Sequence, residues 1–90
     1  MSYLQKAPSL SIDNPHDNDS FDSSHPTTVV SGKTDPDVKV TVNDFWAIVD
    51  GNGNYSYTLS LQNGDNHITV IATDAAGNTT KQEITVHHSQ

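Results

Sequence analysis

The residues of this 90-residue chain that could do chemistry are, first, its aspartates. Asp13, Asp17, Asp19 and Asp22 crowd one short stretch, and Asp35 and Asp37 flank a proline. Brought together at one end of a domain, they could hold calcium between neighbouring modules, because clustered carboxylates repel unless a cation or solvent screens them. The preferred reading is that they are solvated loop residues. Asp50, Asn52 and Asn54 stand at the first, third and fifth positions of an EF-hand loop. That loop needs glycine sixth and a bidentate glutamate twelfth, where this chain has Tyr55 and Leu61. "DGNGN" is therefore read as a turn.

Other chemistries find less. His16, His25 and His67 lack ligand spacing, and adjacent His87 and His88 would point to opposite faces of a strand. Zinc is not expected, and the histidines are read as ordinary surface residues. Serine, histidine and aspartate are plentiful, but there is no nucleophile elbow and no glycine-rich phosphate loop. The expectation is a domain that is not an enzyme. A Lys–Asn isopeptide bond would need a buried lysine, whereas Lys39 faces outward by alternation and Lys33 sits at a strand end.

Composition narrows the partners. Four lysines and no arginine stand against ten aspartates and one glutamate, a net charge of −7. That excludes the clustered cations that nucleic acid or an anionic membrane surface requires. Cysteine is absent, so no disulfide or thiolate zinc site can staple the fold. No stretch approaches the ~20 apolar residues of a membrane span, and no membrane insertion is expected. "MSYLQKAPSL" does not read as a signal peptide. If the parent protein is exported, the chain is expected to be a fragment of it.

The elements that must position these residues are strands. Residues 1–8 read as a linker or tail, 9–88 as one domain and 89–90 as a tail. "SLSI" alternates briefly, and "DNPHDNDSFDSSHP" reads as a loop. "TTVVSGK" places Thr28 and Val30 on one side; "VKVTV" alternates Val38, Val40 and Val42; Asn43-Asp44 turns the chain, and "FWAIVD" continues as a strand. "YSYTLSL" puts Tyr55, Tyr57, Leu59 and Leu61 on one face, "HITVIATD" turns Ile68, Val70 and Ala72 inward, and "TTKQEITVHH" does the same with Ile84 and Val86. About seven strands with turns every 8–12 residues are the pattern of an all-β antiparallel sandwich or barrel.

The motif order resembles the bacterial and archaeal immunoglobulin-like modules that occur in tandem in large surface and secreted proteins, especially the type known as domain B of glucodextranase. The residues that carry the resemblance are Gly32, Val40, Val42, Asn43, Gly53 and Tyr55, then Gly64, Asn66, Ile68, Val70, Ala72, Asp74, Ala76, Gly77 and Asn78. It covers roughly residues 9–87 and is most specific from Gly64 to Asn78. Asp44 stands where the family usually has glycine. The resemblance implies an immunoglobulin-like antiparallel β-sandwich and a monomeric, non-catalytic spacer or interaction module of a larger secreted or cell-surface microbial protein. Neighbouring domains, a polysaccharide or a cell-surface protein would be its partners.

It also implies that Ala47 and Val49 face the core, which turns Trp46 and Ile48 outward, with Ile71 outward on its own strand. Such a patch could stack on a sugar, with Tyr3 or Phe21 adding to the platform, although covering a strand edge is the simpler role for Trp46. A carbohydrate-binding module and a calcium-dependent adhesin module are thus the alternatives. "ATDAAGN" is expected to join the last two strands, with Asp74 accepting loop N–H groups and Gly77 supplying a positive φ.

Overall fold

The computed structural model describes residues 7–89. Tyr3 and most of the expected N-terminal tail lie outside the described residues. Eight strands follow in order: β1 (Ser20–Phe21), β2 (Thr27–Lys33), β3 (Lys39–Val42), β4 (Phe45–Trp46), β5 (Ile48–Val49), β6 (Asn54–Ser60), β7 (Gly64–Thr73) and β8 (Thr79–His88). They form a five-stranded sheet, β1-β8-β7-β3-β4, and a three-stranded sheet, β2-β6-β5. The two make an immunoglobulin-like all-β sandwich.

Strand parity builds the core. Val40 lies opposite Ala72 and Val42 opposite Val70 in one sheet, while Val30 faces Tyr57 in the other. Val30, Val40, Val42, Ile68, Val70, Ala72 and Val86 are wholly buried. Branched side chains fill such a layer well because they are stiff and suit the pleat. The Asn43-Asp44 hairpin has both residues at positive φ, 49° and 71°, as a two-residue turn matched to strand twist demands. Asp44 occupies a glycine-favoured position at the modest cost that aspartate incurs there.

Three expectations change. "FWAIVD" is not one strand: it breaks at Ala47, so that β4 pairs with β3 and β5 with β6 in the opposite sheet. The stretch read as a loop before Thr27 contains β1, which pairs with β8 in parallel, so the sandwich is not wholly antiparallel. "SLSI" forms an isolated bridge, Leu10 to Thr34, and not a regular strand. A two-residue strand or a single bridge is too short to show a periodicity of its own.

The segment from Pro8 to Phe21 stitches the sheets together along one side. On one flank Ser11 N–H donates to Lys33 O, Asp13 N–H to Ser31 O, and Ser31 N–H back to Asn14 O. On the other, Thr80 Oγ1 donates to Pro8 O, Asn18 N–H to Thr85 O and His87 N–H to Asp19 O. One residue permits this approach. A β-carbon on Gly32 would stand 1.9 Å from the Ser11 carbonyl oxygen and 2.7 Å from the Tyr55 hydroxyl oxygen. The Tyr55 hydroxyl donates to that same carbonyl at 2.6 Å. Burial, with the charge of Asp13 adding to it, pushes the Tyr55 pKa up to about 12.

Gly32→Ala should therefore displace the stitch and cost about 3 kcal/mol or more in urea unfolding. Gly51→Ala, where an added β-carbon meets nothing within 4 Å, should stay within about 0.5 kcal/mol of wild type. Equal stabilities for the two variants would show that the close approach at Gly32 is unimportant.

Candidate functional site

The aspartates that could have formed a calcium site are not brought together. Asp13 accepts from Ser11 Oγ, Asp17 from Thr85 N–H, Asp19 from His16 N–H and Asp35 from Ser9 N–H and Oγ. Asp37 is exposed at φ 62° in the turn before β3. Among the described residues no group of three or more His, Asp or Glu side chains could hold a metal ion. Local N–H and O–H donors take up the charge that a cation would otherwise have to satisfy.

Asp22, Ser24 and His25 make a contact that mimics a catalytic triad. Ser24 Oγ donates to Asp22 Oδ1, and His25 Nδ1 lies 3.1 Å from Ser24 Oγ and 3.0 Å from Asp22 Oδ1. A working triad needs one ring nitrogen on the nucleophile and the other on the acid. Here the same nitrogen meets both and the serine proton is directed at the carboxylate, so the arrangement is a turn. Ser24's hydroxyl, then the His25 ring, hold Asp22 down to about 2.

The last histidine also departs from expectation. His87 contacts Asp65, but His88 is buried, with neither ring nitrogen hydrogen-bonded among the described residues. The alternation that turns Ile84 and Val86 inward simply continues to residue 88.

Two loops share one construction. Asp74 Oδ1 accepts from Ala76 N–H (3.0 Å) and Asn78 N–H (2.8 Å), Oδ2 accepts from Asn78 Nδ2 (3.1 Å), and Gly77 stands at φ 90°. Asp50 Oδ1 accepts from Asn52 and Asn54 N–H (2.9 Å each), Oδ2 from Asn54 Nδ2 (3.2 Å), and Gly53 stands at φ 86°. The backbone closes in the same way, Asp50 N–H to Asn54 O and Asp74 N–H to Asn78 O. The repeated string D-x-x-G-N was the available signal: the aspartate satisfies two loop N–H groups and the glycine takes the left-handed turn. Those hydrogen bonds, chiefly from Asn54 and Asn78, lower both aspartates below their ordinary 3.8. Asn66 does related work, accepting from Gln62 N–H and donating to Gln62 O and Gly64 O, with Gly64 at φ 98°.

Trp46, Ile48 and Ile71 do not share one face. Trp46 is 68% exposed on the outside of the five-stranded sheet, opposite Thr41, which is itself opposite Ile71. Ile71 is half-buried, and Lys39 Nζ lies 5.9 Å from the Trp46 ring centroid. Ile48, 77% exposed, belongs to the outer face of the other sheet, because the chain changes sheets at Ala47. A second aromatic feature lies at that crossing. The rings of Phe45 and Tyr57 stack at 5.9 Å and 5° and line a cleft of about 590 Å³ with Leu59, Gln62 and Asp65.

The sequence of this sandwich matches the family described as glucodextranase, domain B, over residues 8–90. The chain belongs to that family. It is 43% identical over 82 residues to bacillopeptidase F of Bacillus subtilis (strain 168), an alignment covering 89% of this chain and 6% of that protein. It is 38% identical over 73 residues to PII-type proteinases of Lactococcus lactis subsp. cremoris and Lacticaseibacillus paracasei, covering 80% of this chain and 4% of each. This domain thus corresponds to a small part of much longer proteins. The resemblance carried by Gly64 to Asn78 is the Asn66 clamp and the Asp74 loop, features that close turns.

The turn aspartates make stability pH-dependent. Their pKa values are lowered by folding, so their stabilisation is complete above the ordinary 3.8 and is lost as pH falls through the folded values. The melting temperature should be nearly flat between about pH 7 and 5 and drop below about pH 4. Asp50→Ala and Asp74→Ala should each lower it at neutral pH, additively, since the hydrogen bonds of each aspartate stay within its own loop. The double variant should also show a shallower acid decline. Circular dichroism melts across this range provide the check; an unchanged melting temperature for Asp74→Ala would remove the loop from the stability of the domain.

Proposed function

We propose that this domain is a non-catalytic spacer or interaction module of a larger secreted or cell-surface microbial protein, with neighbouring domains of that protein as its first partners. One observation carries the reading: the domain holds its two ends far apart. Pro8 is fixed beside Thr80 at the start of β8, whereas Ser89 follows the end of the same strand. Nine residues of extended chain separate those points by about 30 Å. A module that receives the chain at one end and releases it at the other transmits length and force along its axis. The family membership and the small share of each longer relative support the accessory role. The proposed extracellular setting is supported by the resemblance to modules of surface and secreted proteins.

Two copies joined in series should give a scattering profile whose longest dimension is about twice the 56 Å long axis of one copy. A side-by-side particle little longer than one copy would overturn the spacer reading.

Exposed Trp46 favours a second reading, carbohydrate binding on the outer face of the five-stranded sheet. Titrating storage and cell-wall polysaccharides against tryptophan fluorescence should then shift or quench the emission, and Trp46→Ala should abolish glycan retention. A flat response across those glycans would retire it.

A further inference from the structure

The switch of the chain from one sheet to the other uncovers a strand edge. β5 pairs with β6 only at Ile48–Ser56 and Val49–Tyr55. One residue back, Ala47 has turned away and donates to Val40 O in the opposite sheet. The positions that a longer β5 would have occupied beside Tyr57 to Ser60 are therefore left open.

The parity of β6 shows which groups this frees. Asn54 O accepts from Asp50 N–H on the β5 side, while Gly53 O and Leu61 N–H bond Thr34 and Pro26 on the β2 side. Even-numbered residues thus turn their backbone groups toward β5, and Thr58 and Ser60, both exposed, turn theirs into the cleft. Each presents an N–H and a C=O with no strand beside them among the described residues. Elsewhere the core strands are covered: β2 by Ser11 to Asn14, β8 by β1 and Asp17 to Asp19, and β7 by β3 and Asn43. Natural sheets guard an open edge with lysine, proline or a bulge. Thr58, Leu59 and Ser60 supply none of these.

We propose that the cleft between the open Thr58–Ser60 edge of β6 and the stacked Phe45–Tyr57 rings is a binding site for an extended basic peptide, which adds to the three-stranded sheet as a further strand. Two donors and two acceptors at the two-residue period of a strand match a peptide backbone. Alternate side chains of that peptide would rest on Phe45, 58% exposed, and on half-buried Leu59. The chain's net charge of −7 attracts lysine or arginine side chains, and Asp65 beside the cleft, in contact with His87, contributes to that field.

The test is a titration of the isotope-labelled 90-residue chain with acetyl-Lys-Val-Lys-Val-Lys-amide to about 1 mM, followed by amide chemical shifts. Saturable shifts concentrated at Thr58 and Ser60, with slowed hydrogen exchange of those two amides, are expected. Ser60→Pro removes one cleft-facing donor without touching the β2 ladder and should weaken binding about tenfold or more. The same peptide N-methylated at alternate residues should fail to bind the wild-type chain, a comparison that needs no folded variant. Absence of shifts at these amides, equal binding of the N-methylated peptide, or the same response to neutral oligosaccharides would each overturn the proposal. The spacer reading is tested by the length of joined copies and is unaffected by any of these results.

Discussion

The missing side chain at Gly32 is the constraint on which this structure most depends. Because no β-carbon stands there, the Ser11 carbonyl can lie against β2 and receive the buried Tyr55 hydroxyl. That contact fixes the segment between Pro8 and Phe21 in the seam between β2 and β8, where it satisfies backbone groups of both sheets. Gly53 repeats the device: an added β-carbon would meet Thr34 O at 2.1 Å. Backbone packed on backbone leaves no tolerance for a methyl group. The stitch also lays the N-terminal stretch parallel to β8, and this direction separates the two ends of the domain. The separation of the two ends and the local packing thus share one cause.

The acidic composition has a comparable local origin. Asp22, Asp50 and Asp74 close turns by accepting N–H groups two residues on, Asp19 accepts from His16 N–H within its own loop, and Asp17 and Asp35 accept from N–H groups of neighbouring segments. A short carboxylate is suited to that task because its oxygens reach nearby amides without a long, entropically costly side chain. A domain made of strands and tight turns, with no helix among the described residues, gathers aspartates one turn at a time. Its charge of −7 is the sum. The field it creates still acts on whatever approaches, which connects turn chemistry to the choice of partner.

Much of this was legible in the sequence where a regular period ran long enough. Val38, Val40 and Val42, the Ile68 to Ala72 row, and the Tyr55 to Leu61 row all lie on the faces that alternation assigns them. The sandwich class followed from those rows and the turn residues between them, and the family from the resemblance carried most specifically by Gly64 to Asn78. Pairings set by distant partners were not legible. β1 exists because β8 offers a free edge beside Ser20 and Phe21, and the break at Ala47 arises from the hydrogen bond to Val40. With that break unseen, Trp46 and Ile48 were assigned to one face, although they belong to two. Asp13 to Asp37 looked like a cluster because sequence shows proximity along the chain and conceals the donors that each carboxylate meets.

The two lateral seams of the sandwich are closed by different means, and the difference bears on function. At the β2–β8 seam a long stretch of chain lies lengthwise and bonds to both sheets, so that side is finished. At the opposite seam the chain crosses between β3 and β6 in a few residues, and the Phe45–Tyr57 stack covers only the crossing point. Closing the remainder would have required a longer β5, and a longer β5 could not have reached β3. The open edge is thus a geometric consequence of joining the sheets through so short a connection. An edge created for that reason would ordinarily be a site of unwanted pairing. The stacked rings narrow access to it and the chain's net charge of −7 favours basic partners, conditions under which the proposed peptide contact would turn a structural liability into a selective one.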